Sequence, residues 1–197
     1  MRQKLSRKMK TARMPKDPAE VVKRNTPKAF DFFWASDFAK TSYMTANRRS
    51  HAQYVASLVS GDRFLDVGCG DGTLLGIVGH GIGVDYSAVS IEIVNELGFD
   101  AYVSDAKALP FADESFDCVA CIEVLEHSRE PQEIANELSR VLCCGGTLIV
   151  GVPDGSKDSW DGHISRFSQT DIVRMFSGLL LSEVHVIRND FIITFCK

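Results

Sequence analysis

Phe64-Leu65-Asp66-Val67-Gly68-Cys69-Gly70-Asp71-Gly72 is the stretch whose reading decides the fold of this 197-residue chain. Arg63 to Val67 read as a short strand. Three glycines within the next five residues then let the backbone turn sharply and approach another group without a Cβ in the way. A glycine turn straight after a first strand points to nucleotide binding in an alternating α/β fold.

The pattern downstream agrees. Thr73 to Val78 gives a short helix, and Gly81 to Asp85 a second strand. Ser87 reads as the N-cap of a helix running through Leu97. Ala101 to Val103 is a third strand. Phe116 to Ile122 is an unbroken apolar run, typical of a strand buried on both faces. Pro131 opens a helix with Ile134, Leu138, Val141 and Leu142 at helical spacing. Gly145-Gly146 leads into a fifth strand, Thr147 to Val152, and Ser168 caps a helix through Phe176. Glu183 to Ile187, a turn at Asn189-Asp190 and Phe191 to Phe195 read as a closing hairpin. Upstream, Ala46 to Val59 reads as a helix stopped by Gly61. Residues 28–45, with Phe30, Phe32, Phe33, Trp34, Phe38 and Tyr43, read as packing and as a lid over the site. Strands alternating with helices imply an α/β, doubly wound, parallel sheet with right-handed crossovers. Its ligand belongs beyond the carboxyl ends of the strands.

Those ends carry Asp66, Asp85, Asp105 and Glu123. A single acid there is most simply a helix cap or a loop residue. Four in register after a glycine turn describe a cleft for a cation. The dinucleotide pattern needs glycine where Thr73 stands, and no Gly-Lys-Ser/Thr follows, so a phosphate loop is excluded. Asp66 and Asp71 would repel a pyrophosphate. S-adenosylmethionine carries a sulfonium and an ammonium, and it fits. Asp66 accepts from the ammonium side, Asp85 from the ribose hydroxyls and Asp105 from the adenine amino group. Tyr86 and Ala106 flank the adenine ring.

With these residues in place, the chain resembles the class I S-adenosylmethionine-dependent methyltransferases of the broad small-molecule, ubiquinone-pathway-like type. The resemblance rests on Phe64 to Gly72, Gly83-Val84-Asp85-Tyr86-Ser87, Asp105-Ala106 with Leu109-Pro110-Phe111, and Ser115-Phe116-Asp117. Glu123-Val124-Leu125-Glu126-His127 and Gly145-Gly146-Thr147-Leu148 complete it. It spans roughly residues 46–197. It implies a seven-stranded Rossmann-like sheet with an antiparallel final strand. It also implies a cofactor set of Asp66, Gly68, Cys69, Gly70, Asp71, Gly72, Asp85, Tyr86, Ser87, Asp105, Ala106, Ile122 and Glu123. S-adenosylhomocysteine would be the product.

Methyl transfer from a sulfonium is an in-line displacement that depends mainly on positioning. A base is needed only where the acceptor must lose a proton. His127, His163, Glu123 and Tyr43 are candidates, with His127 and His163 assigned as catalytic. Glu123, Glu126 and His127, with His163 as a fourth member, resemble the metal-binding segment of ubiquinone-pathway O-methyltransferases and small-RNA 2′-O-methyltransferases. The same run occurs in many relatives that hold no metal, so the reading assigns no metal.

Composition sets the partners. Residues 1–16 hold 7 of the 22 basic residues and no acid, so the remainder has 15 bases against 26 acids, a charge of −11. An acidic body disfavours nucleic acid and favours a small-molecule acceptor. No apolar run is long enough to span a membrane, and the N-terminus lacks a secretory signal, which reads as cytoplasmic. Among the six cysteines, Cys118 and Cys121 fall on opposite faces of one strand, so they read as buried thiols rather than a zinc pair. The organisation expected is a basic tail over 1–16, a helical cap or lid over 17–60 and the cofactor-binding core over 61–197, as a monomer or homodimer. A non-catalytic cofactor-binding partner protein and a metal-using RNA 2′-O-methyltransferase are the alternatives, with a dinucleotide oxidoreductase further behind.

Overall fold

The computed structural model describes residues 25–36, Ala39 and 42–197, apart from the side chains of residues 42–48. The basic tail, Pro15, Pro18, Phe38 and the Tyr43 side chain lie outside the described residues.

Seven strands form one sheet: β1 (Phe64–Val67), β2 (Ile82–Asp85), β3 (Asp100–Val103), β4 (Phe116–Ile122), β5 (Leu142–Pro153), β6 (Leu180–Ile187) and β7 (Asp190–Cys196). Their order is β3-β2-β1-β4-β5-β7-β6. β1 to β5 are mutually parallel, and β7 runs antiparallel to both β5 and β6. The chain is therefore an α/β, doubly wound, Rossmann-like fold with an antiparallel closing strand, as the pattern implied. The order reverses at β1, so the crevice between β1 and β4 is where a ligand belongs.

Two apolar layers sandwich the sheet. Helix α5 (Pro131–Val141) and α6 (Gln169–Met175) cover one face through Ile134, Leu138, Ile172 and Phe176. Helices α2 (Ser42–Leu58), α3 (Thr73–Val78) and α4 (Ala88–Glu96) cover the other through Val55, Leu75, Ile91 and Val94. Cys121 lies in the first layer and Cys118 in the second, as their odd spacing requires. Helix α1 (Pro27–Ala35) begins at the Thr26 N-cap and packs towards α4.

Several bounds differ from the sequence reading. α2 starts at Ser42 rather than Ala46. β5 starts at Leu142, because Gly145-Gly146 sits inside an irregular ladder, with Gly145 at φ 78, rather than ending the approach to the strand. β6 starts at Leu180, and its edge position leaves Leu180 and Leu181 exposed, which hid them from a burial pattern. The hairpin turns at Arg188, φ 57, so Asp190 already belongs to the ladder opposite Ile187. Asp66 lies within β1, and Asp105 lies two residues beyond β3; only Asp85 closes its strand and only Glu123 directly follows one. Cys118 and Cys121 are buried, and Cys144 is exposed.

Candidate active site

The glycine turn hangs from the end of β2. The Gly68 and Cys69 amides donate to the Val84 carbonyl at 2.8 and 3.0 Å. Gly68, Gly70 and Gly72 adopt φ of 80°, 54° and 75°, which side chains other than glycine's rarely take. A Cβ on Gly68 would lie 2.3 Å from Val124 Cγ2, and one on Gly70 2.6 Å from the Trp34 ring. Asp85 braces the turn from below. Its Oδ2 accepts from Gly70 N at 2.9 Å and its Oδ1 from Ser87 N at 2.8 Å. Each oxygen keeps further accepting capacity.

A cavity of about 370 Å³ opens over these strand ends. Of the residues expected from sequence, Gly68, Asp85, Tyr86, Asp105, Ala106, Glu123 and His127 line it. The 105–111 loop is held there by Arg140. Its guanidinium donates to the Leu109 and Phe111 carbonyls while pairing with Glu137, which in turn accepts from the Leu109 amide.

Four findings match this architecture. A methyltransferase-domain family matches residues 65–150. A human probable tRNA methyltransferase 9B is 35% identical over 105 residues, covering 51% of this chain and 23% of that protein. The 27-O-demethylrifamycin SV methyltransferase of Amycolatopsis mediterranei is 30% identical over 134 residues, covering 60% of this chain and 48% of that protein. The solved structure of an S-adenosylmethionine-dependent methyltransferase from Thermotoga maritima shares the fold, with a TM-score of 0.71, 18% identity and coverage of 92% and 100% of the two chains. The match to the methyltransferase family thus covers the segment from β1 into β5, and the fold around it is the one that the Thermotoga maritima methyltransferase has. The chain spans less than half the length of the curated relatives cited here.

The residues present fit that cofactor. Asp66 is buried and its carboxyl is pushed up to about 7, first by burial and then by repulsion from Asp85 and Asp71. Burial also pushes Asp85 up. Buried acids in this condition gain from a cation alongside them.

Other residues expected from sequence serve the turn from off the cavity wall. Asp71 accepts from the Thr73 amide and hydroxyl. Gly72 is the left-handed N-cap of α3. The buried Cys69 thiol lies where a Cβ on Gly83 would fall, 2.8 Å from its Sγ. Ser87 caps α4 and donates its hydroxyl to Asp31 at 2.7 Å. Ile122 packs over Gly151, and Asp66 is buried within β1.

The roof was not legible in sequence as a contact set. Asn25, Phe30 and Trp34 line the cavity, and Asp31 ties α1 to α4 through Ser87 and the Val89 amide. The aromatic density around Phe30 and Trp34 was the one signal. Asn25, Lys107, Arg129 and Ile164 carried none.

Beside the cavity stands an acid–imidazole cluster in which Glu126 is buried, His127 and His163 are partly buried and Glu123 is exposed. Glu123 follows β4 at φ 57, and Leu125–His127 form a single 3₁₀ turn. Burial pushes the Glu126 carboxyl up to about 8. His127 is pushed down to about 3, chiefly by burial and then by His163. Among the described residues the Glu126 carboxyl meets no N–H or hydroxyl donor, its side-chain partner being the Glu123 carboxyl, and His163 Nε2 stands 3.9 Å from Oε1. His163 itself is off the cavity wall, behind His127, at a ring-centroid separation of 5.0 Å. One donor atom each from Glu126, His127 and His163 lies within 4.8 Å of the others. A buried carboxyl facing two imidazoles is a donor set that fits a divalent cation.

Proposed function

We propose that the chain transfers the methyl group of S-adenosylmethionine to a small-molecule acceptor. The observation that carries this reading is the cavity over β1, β2 and β4, with Phe30 and Trp34 in its lining. A cavity of this kind takes a compact acceptor. The acidic body adds no basic track for a nucleic-acid backbone.

The cofactor supplies an activated methyl group when bound. The chain's own residues then orient and enclose. Asp85 receives the ribose hydroxyls, and Asp105 receives the adenine amino group between Tyr86 and Ala106. Gly68 and Gly70 permit close approach of the backbone. Asp66 and Asp71 favour the cationic end, with Glu123 on the opposite wall. Residues 25–35 act as the lid. His127 is the candidate that reaches the wall. Burial pushes its imidazole down to about 3, which makes it a weak base, so it orients the acceptor rather than stripping a proton, and catalysis rests on positioning. His163 supports it from behind.

The relatives named above include proteins that act on tRNA and on an antibiotic. The test is therefore release of S-adenosylhomocysteine from the full chain, measured by mass spectrometry, against a panel of small alcohols, phenols, amines and carboxylates, with bulk tRNA as a parallel arm. Turnover with members of the panel supports the reading. Turnover on tRNA alone replaces it with the nucleic-acid reading. Tight cofactor binding without turnover on either favours a non-catalytic cofactor-binding protein.

A further inference from the structure

The two ends of the sheet differ. β3 closes one end with four residues, while β6 closes the other with eight, Leu180-Leu181-Ser182-Glu183-Val184-His185-Val186-Ile187. Among the described residues β6 pairs only with β7. Leu180, Leu181 and Val186 stand exposed along it, Leu180 at 74% and Val186 at 56%. A long apolar edge of this kind is a template for another strand.

The backbone of β6 fixes which groups face outward. Ile187 pairs with Asp190 at the hairpin, and the ladder continues through His185 with Ile192 and Glu183 with Thr194. The Glu183 amide points inward and donates to Thr194 Oγ1 at 3.1 Å. Direction alternates along an antiparallel strand, so the amides and carbonyls of Val184 and Val186 point away from β7. Side chains alternate between the faces as well. Glu183 Oε2 and His185 Nε2 lie 2.8 Å apart, and the His185 ring meets Tyr54 of α2 edge-on at 5.2 Å. Val184 packs into the opposite layer, the one covered by α5 and α6.

A second copy of the chain meets these constraints. Outward groups must pair with outward groups, so an antiparallel β6–β6 pair can place its two-fold axis at Val184, at His185 or at Val186. An axis at Val186 uses only the end of the strand. An axis at His185 sets the two imidazoles against each other. An axis at Val184 sets each Glu183 opposite His185 of the second copy, in the closer, non-hydrogen-bonded type of pair. It also lays Val184 beside Val184 and Val186 diagonally across from it on the other face. Glu183 alone is the kind of charge that keeps an edge strand single. His185, two residues on, turns that charge into a match for a two-fold partner.

We propose that β6 is a self-pairing edge, through which two copies of the chain join antiparallel about a two-fold axis at Val184, matched by reciprocal Glu183–His185 pairs. The two seven-stranded sheets then run on as one. Such an interface closes on itself and does not grow. The bulge between Leu181 and Glu183 ends the regular ladder, which keeps the pair short and dissociable. β6 lies beyond β5 and β7 from the crevice between β1 and β4, so pairing leaves the cavity open. This inference stands apart from methyl transfer, because it is read without cofactor or acceptor.

The test is sedimentation velocity of the full chain from low micromolar to submillimolar concentration, where a monomer–dimer equilibrium is expected. Glu183→Lys and His185→Glu each set like charges opposite one another twice, and each should raise the dissociation constant by ~10-fold or more. An equimolar mixture of the two variants should pair with about the parent's affinity, because the new lysine then faces the new glutamate while the retained Glu183 and His185 face each other. Circular dichroism checks that each variant is folded, and Val186→Lys, at an exposed position, gives a second disruption. Hydrogen exchange at the Val184 and Val186 amides should slow as the parent chain is concentrated and not in Glu183→Lys. A chain that stays monomeric throughout would overturn the proposal and leave the edge to a strand from another protein. So would a dimer indifferent to Glu183→Lys, His185→Glu and Val186→Lys, variants that fail to pair with each other, or exchange at Val184 and Val186 that ignores concentration.

Discussion

The two walls of the cavity are built in opposite ways. The cofactor wall is local. Gly68, Asp85, Tyr86, Asp105 and Ala106 fall within about forty consecutive residues, on three neighbouring parallel strands. Its order comes from short-range bonds, such as Asp85 gripping Gly70 and Ser87. The acceptor wall is remote. Asn25 meets His127 across 102 residues and Gly162 across 137. Repetitive α/β pattern encodes the first wall, and only tertiary packing brings the second together. A fold can therefore announce its cofactor in sequence while its acceptor stays hidden.

Four experiments sharpen or break that contrast, beginning with the largest expected effect. Asp85→Ala removes the brace of the turn and the partner for the ribose. Calorimetry should show S-adenosylmethionine binding weakened by ~100-fold or more, since buried donors and ligand hydroxyls are left unpaired. Loss of less than about tenfold would mean that the cofactor wall is not where β2 ends.

Gly68→Ala places a Cβ against Val124 at positive φ. Left-handed backbone at a non-glycine residue costs ~1–3 kcal/mol. The melting temperature should fall, and cofactor affinity should drop on the order of tenfold, a tenfold change being about 1.4 kcal/mol. A variant as stable and as tight as the parent would show that the turn tolerates side chains.

The third experiment varies pH. Asp66, at about 7 in the folded protein, is raised above an unfolded value of roughly 3.9. Its proton therefore favours the folded, cofactor-free protein at low pH, and that advantage is lost as pH rises towards 7. A cationic ligand needs the carboxylate, so affinity should fall as pH drops from 8 to 6, approaching tenfold per unit below the pKa. Asp66→Asn should flatten the profile. A flat profile in the parent chain would remove Asp66 from the account.

The smallest effect on the cofactor should come from the other wall. Phe30→Ala should leave S-adenosylmethionine affinity within about threefold, because only one remote ring contact is lost. The kcat/KM for the acceptor should fall more steeply than cofactor affinity. Equal losses in both would erase the distinction between the walls.

How far the sequence revealed each wall follows from the same physics. β4 was legible to the residue, because Cys118–Ile122 is apolar on both faces and Glu123 ends the run. Ser87 was legible as a cap, because a hydroxyl before an apolar helix has a local job. The start of β5 was not, because Gly145 carries a left-handed kink inside a strand. Asn25 gave no signal at all. Its task is set by His127 and Gly162, and nothing in its own neighbourhood distinguishes it from any other loop asparagine. His163 was named for its loop and turned out to stand behind His127 rather than on the cavity wall.

The central claim is that the turn from Gly68 to Gly72, with the acids around it, holds an adenosyl cation rather than a pyrophosphate. Paired calorimetric titrations of the full chain with S-adenosylmethionine and with NADH test it most directly. The account predicts micromolar binding of S-adenosylmethionine and no heat from NADH. Tight NADH binding with no response to S-adenosylmethionine would contradict it.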